Sequence, residues 1–147
     1  MTVHTDSETE EQWLASQRQY VIDYLARAHV EHLGVGDYPA FHLHRHLALW
    51  AVHSRGSPGA VGWWALSGDV PADYISSSEG RHPREALRAF ARHWHDWSVH
   101  MLRGETHPDY RLTAGQESPE LGDLLRRRAE LLAKLADDEE VWDHAKA

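Results

Sequence analysis

Phe41-His42-Leu43-His44-Arg45-His46-Leu47-Ala48-Leu49-Trp50-Ala51-Val52-His53-Ser54 reads as a β-strand. Phe41, Leu43, Leu47, Leu49 and Ala51 alternate with His42, His44, His46, Ala48, Trp50 and Val52. From Leu47 onward both sets are apolar, the pattern of a strand covered on both faces. Ser54-Arg55-Gly56-Ser57-Pro58-Gly59 has loop composition. Ala60-Val61-Gly62-Trp63-Trp64-Ala65-Leu66 then reads as the return strand of an antiparallel hairpin with a loop of about five residues. Gly62 inside it predicts a bulge or a close backbone approach. Gly68 to Asp73 is a turn, and Tyr74-Ile75-Ser76 is a short third strand.

Helical patterns flank this hairpin. Before it, Trp13, Tyr20, Tyr24 and Ala28 recur at helical spacing, with Leu14, Val21 and Leu25 beside them. Ser7 and Glu10 have capping-box spacing, so the helix is placed at about residues 8–29. After the hairpin, Pro83 suits the first position of a second helix, and Glu85 its first turn. Leu87, Phe90, Trp94, Trp97 and Met101 form its apolar stripe, and Gly104 its C-cap. Residues 104–117 read as a linker. Ser118-Pro119-Glu120 opens a third helix with an amphipathic leucine face from Leu121 to Leu135. The expected fold class is α+β: a small antiparallel sheet, hairpin plus short third strand, packed by three helices. Residues 1–147 are read as a single domain, with 1–7 and 137–147 as acidic, frayed ends.

The composition fits a globular chain: 147 residues, 41% hydrophobic and 26% charged. It holds 13 histidines, 7 tryptophans and no cysteine. Lack of cysteine excludes a disulfide scaffold, a thiolate metal site and a cysteine nucleophile. The net charge of −8 is concentrated near the two ends. Asp6, Glu8, Glu10 and Glu11 supply half of it, and Asp137 to Asp143 less Lys146 supply the other half. The chain lacks the overall basic field that non-specific nucleic-acid binding requires. Arg81, Arg84, Arg88 and Arg92 form a local basic group, read as a solvated helix face. No signal peptide and no apolar run of membrane-spanning length is found. The expected location is cytoplasmic, with no membrane partner.

Two regions could carry chemistry. The first runs from Trp63 to Glu85. Trp63 or Trp64 would wall a pocket, His82 and Arg84 would bind an anionic group, and Asp69, Asp73 and Tyr74 would fix orientation. The N–H groups opening the second helix would add donors. The plainer reading makes the aspartates turn residues and pairs Arg84 with one of them. The second region is metal-like. His42, His44 and His46 alternate on a strand, and His93 and His100 lie on the second helix with Asp96. Three alternate strand residues span about 13 Å, too far to share one ion without a bend. A polar surface in a histidine-rich chain explains them as well. No cofactor is required, and a divalent metal is the weaker option. No nucleophile signature such as GxSxG or SxxK occurs.

Trp50-Ala51-Val52, Gly62-Trp63-Trp64-Ala65-Leu66-Ser67-Gly68-Asp69-Val70-Pro71, Asp73-Tyr74 and His82-Pro83-Arg84-Glu85-Ala86 together carry a likeness. The chain resembles a family of small bacterial proteins of unknown function, over roughly residues 10–105. The resemblance implies no activity or cofactor. It places Gly62, Trp63, Trp64, Asp69, Pro71, Asp73, Tyr74, His82, Pro83 and Arg84 at motif positions. The histidines of 42–46 and of the second helix match no such motif.

The first functional expectation is a non-enzymatic protein that binds a small polar ligand or a protein partner near residues 63–85. The second is a small histidine-dependent metal or acid–base enzyme. The third is an immunity- or antitoxin-like interaction protein, steered by its acidity to a basic target. A homodimer seam on the leucine face of the third helix is compatible with the pattern.

Overall fold

The sheet is built on one long antiparallel pair. The computed structural model describes residues 9–57, 59–70, 72–103 and 119–146. Five strands form: β1 (Gly34–Val35), β2 (Phe41–Leu43), β3 (Leu47–His53), β4 (Val61–Gly68) and β5 (Asp73–Ser76). Four helices accompany them: α1 (Glu10–Arg27), α2 (Pro83–Leu102), α3 (Pro119–Asp137) and α4 (Glu139–Lys146). The strand order is β1-β3-β4-β5, with β2 also paired to β3. The fold class is α+β. The expected hairpin and third strand are present, and β1 and β2 enlarge the sheet. The chain divides into two compact units, Met1–Tyr74 and Ile75–Ala147, and the division falls within β5.

In the first unit, the strand expected over 41–54 is two strands. Leu43 pairs with Leu47, and His44-Arg45-His46 make the turn between them. Arg45 takes the left-handed conformation with φ 66°. His46 N–H closes the turn on Leu43 O at 2.9 Å. The apolar alternation conceals this break. A three-residue loop keeps Leu43 and Leu47 in step, and no Gly, Asn or Asp marks the left-handed position.

The β3–β4 register runs from Leu47↔Gly68 to Val52↔Trp63, then shifts so that His53 meets Val61. Gly62 is the extra residue of that bulge. A Cβ there would lie 3.0 Å from Ser54 Cα, so both expectations for Gly62 hold. Ala48, Trp50 and Val52 of β3 and Ala65 of β4 pack with Leu14, Val21, Tyr24 and Leu25 of α1. On the opposite sheet face Leu47, Leu49, Trp64 and Leu66 are also buried. Both faces are therefore dry, as the doubly apolar sequence requires.

α1 begins later than residue 8. Thr9 is the N-cap, and a full capping box joins it to Gln12, with both bonds at 3.0 Å. Ser7, the cap expected from sequence, lies outside the described residues. Tyr20 is 48% exposed and does not belong to the buried stripe. Arg18 reaches across from the helix. Its guanidinium donates to Gly36 O at 2.9 Å and to Val35 O at 2.8 Å. These bonds tie the end of β1, the strand that sequence reading missed, to α1.

In the second unit, Ser77–Glu79 form a 3-10 turn capped by the Ser76 hydroxyl. Pro83 opens α2 as expected, and the N-cap is His82. Leu87, Phe90, Trp94, Trp97 and Met101 are buried on α2. α3 buries Gly122, Leu125, Ala129, Leu132 and Ala136, a three–four alternation that lays one seam against α2. Gly122 permits the close end of that seam. A Cβ on it would stand 2.7 Å from Met101 Cβ. Within the acidic stretch 137–147, residues Glu139–Lys146 are helical and Trp142 is 3% exposed. Gly104, the linker 104–117 and Ser118 lie outside the described residues.

Candidate functional site

The seven residues proposed from sequence divide between the two units. In the first, Trp64 is buried at 4% exposure, while Trp63 points to the other sheet face and packs half-buried against the α1 cluster. Tyr74 joins the same cluster, its ring edge-on to Tyr24 at 6.0 Å. Asp73 accepts from the Tyr74 N–H at 2.8 Å, and Asp69 is exposed in the turn after β4. Asp69 N–H donates to His46 O at 2.7 Å.

The other two residues hold the second unit together. His82 Nδ1 accepts from Arg84 N–H at 3.0 Å, an imidazole in the role usually taken by Ser or Asp. Its ring lies edge-on to Trp142 at 5.8 Å. Arg84 Nε donates to Ala136 O at 2.5 Å, and its guanidinium pairs with Glu139. Arg84 thereby serves the free carbonyls at the end of α3, where a cation also suits the helix dipole. Its carboxylate partner is Glu139.

The histidine groups are similarly engaged. His42 Nε2 donates to Glu10 Oε2 at 2.7 Å, linking β2 to the first turn of α1. That bond, helped by the nearby charges of His42 and His44, holds the Glu10 carboxyl below its ordinary value. His44 lies edge-on to Trp13 at 5.6 Å, and His46 is exposed. His93 Nε2 donates to Glu79 Oε1 at 2.6 Å, while His100 is half-buried near the end of α2. Among the described residues, no group of three or more His, Asp or Glu side chains could hold a metal ion.

Described residues of the second unit line two cavities. The first, about 440 Å³, is polar and is lined by Ser78, Glu79, Gly80, Arg81, Glu85, Arg88 and Arg92. Its carboxylates are already in use. Glu85 accepts from Arg81 N–H at 2.8 Å, and Glu79 holds His93. Arg88 pairs with Asp137 at 3.1 Å. The exposed guanidinium groups of Arg81 and Arg92 have no carboxylate partner among the described residues. A second cavity of about 400 Å³ lies between α2 and α3. Its floor is Ala91, Ala129 and Ala133, and its rim is Arg88, Arg92, His95, Glu130 and Asp137. No tryptophan lines either cavity.

A family model described as a domain of unknown function, DUF4826, matches residues 7–142. The chain belongs to the DUF4826 family. The match spans residues of both units and supports the resemblance to a family of unknown function. No curated protein and no solved structure gives a significant match to the chain. For this DUF4826 chain, function has to be argued from its own geometry.

That geometry shows what sequence reading left out. Arg81, Arg84, Arg88 and Arg92 were legible as a basic group, but as four equivalent charges. The fold separates them. Arg84 and Arg88 are drawn to the C-terminal end of α3, although Arg88 also lines both cavities, while Arg81 and Arg92 meet no acid among the described residues. The spacing of 84, 88 and 92 was the available signal. Which arginines find acids depends on residues about fifty positions away.

Proposed function

We propose that this DUF4826 chain is a non-enzymatic binding protein for a small anionic ligand, held in the basin of Ser78, Arg81, Arg88 and Arg92. The observation that carries the reading is the pair of exposed guanidinium groups, Arg81 and Arg92, that face one polar cavity and pair with no carboxylate among the described residues. Of the three guanidinium groups that line it, Arg88 is held by Asp137, while the carboxylates Glu79 and Glu85 accept from His93 and from the Arg81 N–H. Arginine forks suit carboxylate and phosphate oxygens, and the cavity volume falls in the range of small-ligand sites. The basin overlaps the end of the 63–85 region marked from sequence, but neither His82 nor Arg84 lines it. The proposed setting is the bacterial cytoplasm, supported by the cysteine-free sequence and the resemblance to a bacterial family.

Thermal unfolding at fixed ionic strength tests the reading, with chloride replaced by inorganic phosphate, citrate or acetate. Binding to the folded state raises Tm. At least one anion should do so in the native chain and fail to do so in Arg81→Gln/Arg92→Gln, whose starting Tm should be unchanged. Equal anion shifts in both proteins, or none in either, overturn the assignment.

A further inference from the structure

Arg88 and Arg92 line both the polar basin and the groove between α2 and α3. One turn apart on α2, they stand where the polar basin meets the apolar groove. On the basin side Arg81 and Arg92 offer exposed guanidinium groups that pair with no carboxylate among the described residues. On the groove side the floor is three alanine side chains, Ala91, Ala129 and Ala133. Ala129 sits in the α3 seam between Leu125 and Leu132, where a larger side chain would fill the space. Ala133, one turn further, is only half-buried. Short side chains at these positions leave a trough of about 400 Å³ along the two helices.

From this juxtaposition we propose that the ligand is an anionic amphiphile, a monocarboxylate with a short unbranched acyl tail. The inference rests on the anion-binding reading above. The carboxylate meets Arg92 and Arg81, and the tail lies over Ala91, Ala129 and Ala133. Alanine methyl groups form the groove's floor, and Glu130 and Asp137 stand on its rim. Neither rim acid is free to recruit a cationic tail: Asp137 pairs with Arg88 at 3.1 Å, and Glu130 with Arg126 at 3.4 Å. A neutral, apolar tail is what remains. Two cavities of 440 and 400 Å³ are each the size of a small-molecule site, which favours a compact ligand over a docked protein helix.

The test is calorimetric titration of the whole chain with acetate, butanoate, hexanoate and octanoate, all below their micellar concentrations. Each methylene buried in the groove should tighten binding about three- to fourfold. Affinity should therefore climb steeply along the series, at one ligand per chain. Octanol should bind at least tenfold more weakly than octanoate. Arg92→Gln should remove that preference. Ala133→Phe, which fills the trough from its open side, should flatten the chain-length dependence.

A flat series that still depends on Arg92 overturns the amphiphile and leaves the anion reading standing. Octanol equal to octanoate, with Arg92→Gln without effect, overturns both. Failure of every carboxylate to bind overturns the amphiphile, and the phosphate and citrate arms of the thermal experiment then decide the anion reading by themselves. Should Ala133→Phe unfold, Ala133→Leu and the native chain-length series decide the same question.

Discussion

His29 ends α1 in the left-handed conformation, φ 59°, that glycine takes at no steric cost. Its N–H donates to Ala26 O at 3.1 Å, and Val30 N–H to Leu25 O at 3.0 Å. This is a Schellman ending with histidine where glycine is usual. His29 is exposed. His29→Gly should therefore stabilise the chain by about 0.5–1 kcal/mol, read as a higher urea midpoint at unchanged m-value. A lower midpoint would show that the imidazole contributes more than its strain costs. Ser67 is a residue-scale contrast, because it is wholly buried. Its hydroxyl accepts from the equally buried Trp50 Nε1 at 3.3 Å. Ser67→Ala leaves the indole N–H without that acceptor and should cost about 1–3 kcal/mol in the same measurement.

Glu10 sets a pH dependence at this scale. Its hydrogen bond to His42 lowers its folded-state pKa below the ordinary 4.5. A carboxyl lowered on folding adds stability above its unfolded value, and that stability is lost as the pH falls through the lowered folded value. Between pH 5 and pH 3, Glu10→Gln should thus lose less stability than the native chain. Parallel stability curves for the two proteins would contradict it. The effect is modest, because the group is exposed.

At the scale of elements, small residues decide how helices meet. α3 carries Gly122, Ala129 and Ala136 among its buried positions, and Gly122 stands against Met101. Gly122→Ala would ordinarily stabilise a helix by about 1 kcal/mol. Here the new Cβ would meet Met101 Cβ at 2.7 Å and Leu102 N at 3.2 Å. Overpacking of that kind costs about 1–3 kcal/mol, so the net effect should be destabilising, seen as a lower Tm. A gain in Tm would mean that the seam yields to admit a methyl group.

Elements also differ in how far the sequence disclosed them. β3, β4 and the buried stripe of α2 were legible, because their apolar periods reflect burial directly. β1 was not: Gly34-Val35 is too short for a period, and its bonds come from His53 and Arg18. The β2–β3 turn was hidden because its loop preserved the alternation and placed Arg45, not glycine, at positive φ. Candidate site residues were legible by type. His82 and Arg84, read from sequence as an anion-binding pair, both bind partners within the second unit.

Across the whole chain, six of the seven tryptophans are buried, at 8% exposure or less. They account for the unusual composition as core packing, the plainer of the two readings of a tryptophan-rich sequence. The strands with two dry faces should also be the slowest to open. In hydrogen exchange, amides of Leu47–Val52 and Trp64–Ser67 should outlast those of the 54–60 connection by orders of magnitude. Comparable rates in strand and connection would contradict the placement of this core. No helix among the described residues is long and apolar enough to cross a membrane.

The sequence by itself determined the α+β class, the central hairpin, an irregularity at Gly62 and the absence of cysteine chemistry. These follow from local rules: apolar period, turn composition, glycine placement and residue type. Only the tertiary structure decided which charges are satisfied. Arg84 and Arg88 find a carbonyl and acids at the end of α3, while Arg81 and Arg92 pair with no acid among the described residues. Hydrogen bonds and ion pairs are short-ranged, so their partners are set by how distant segments fold together and not by neighbours along the chain.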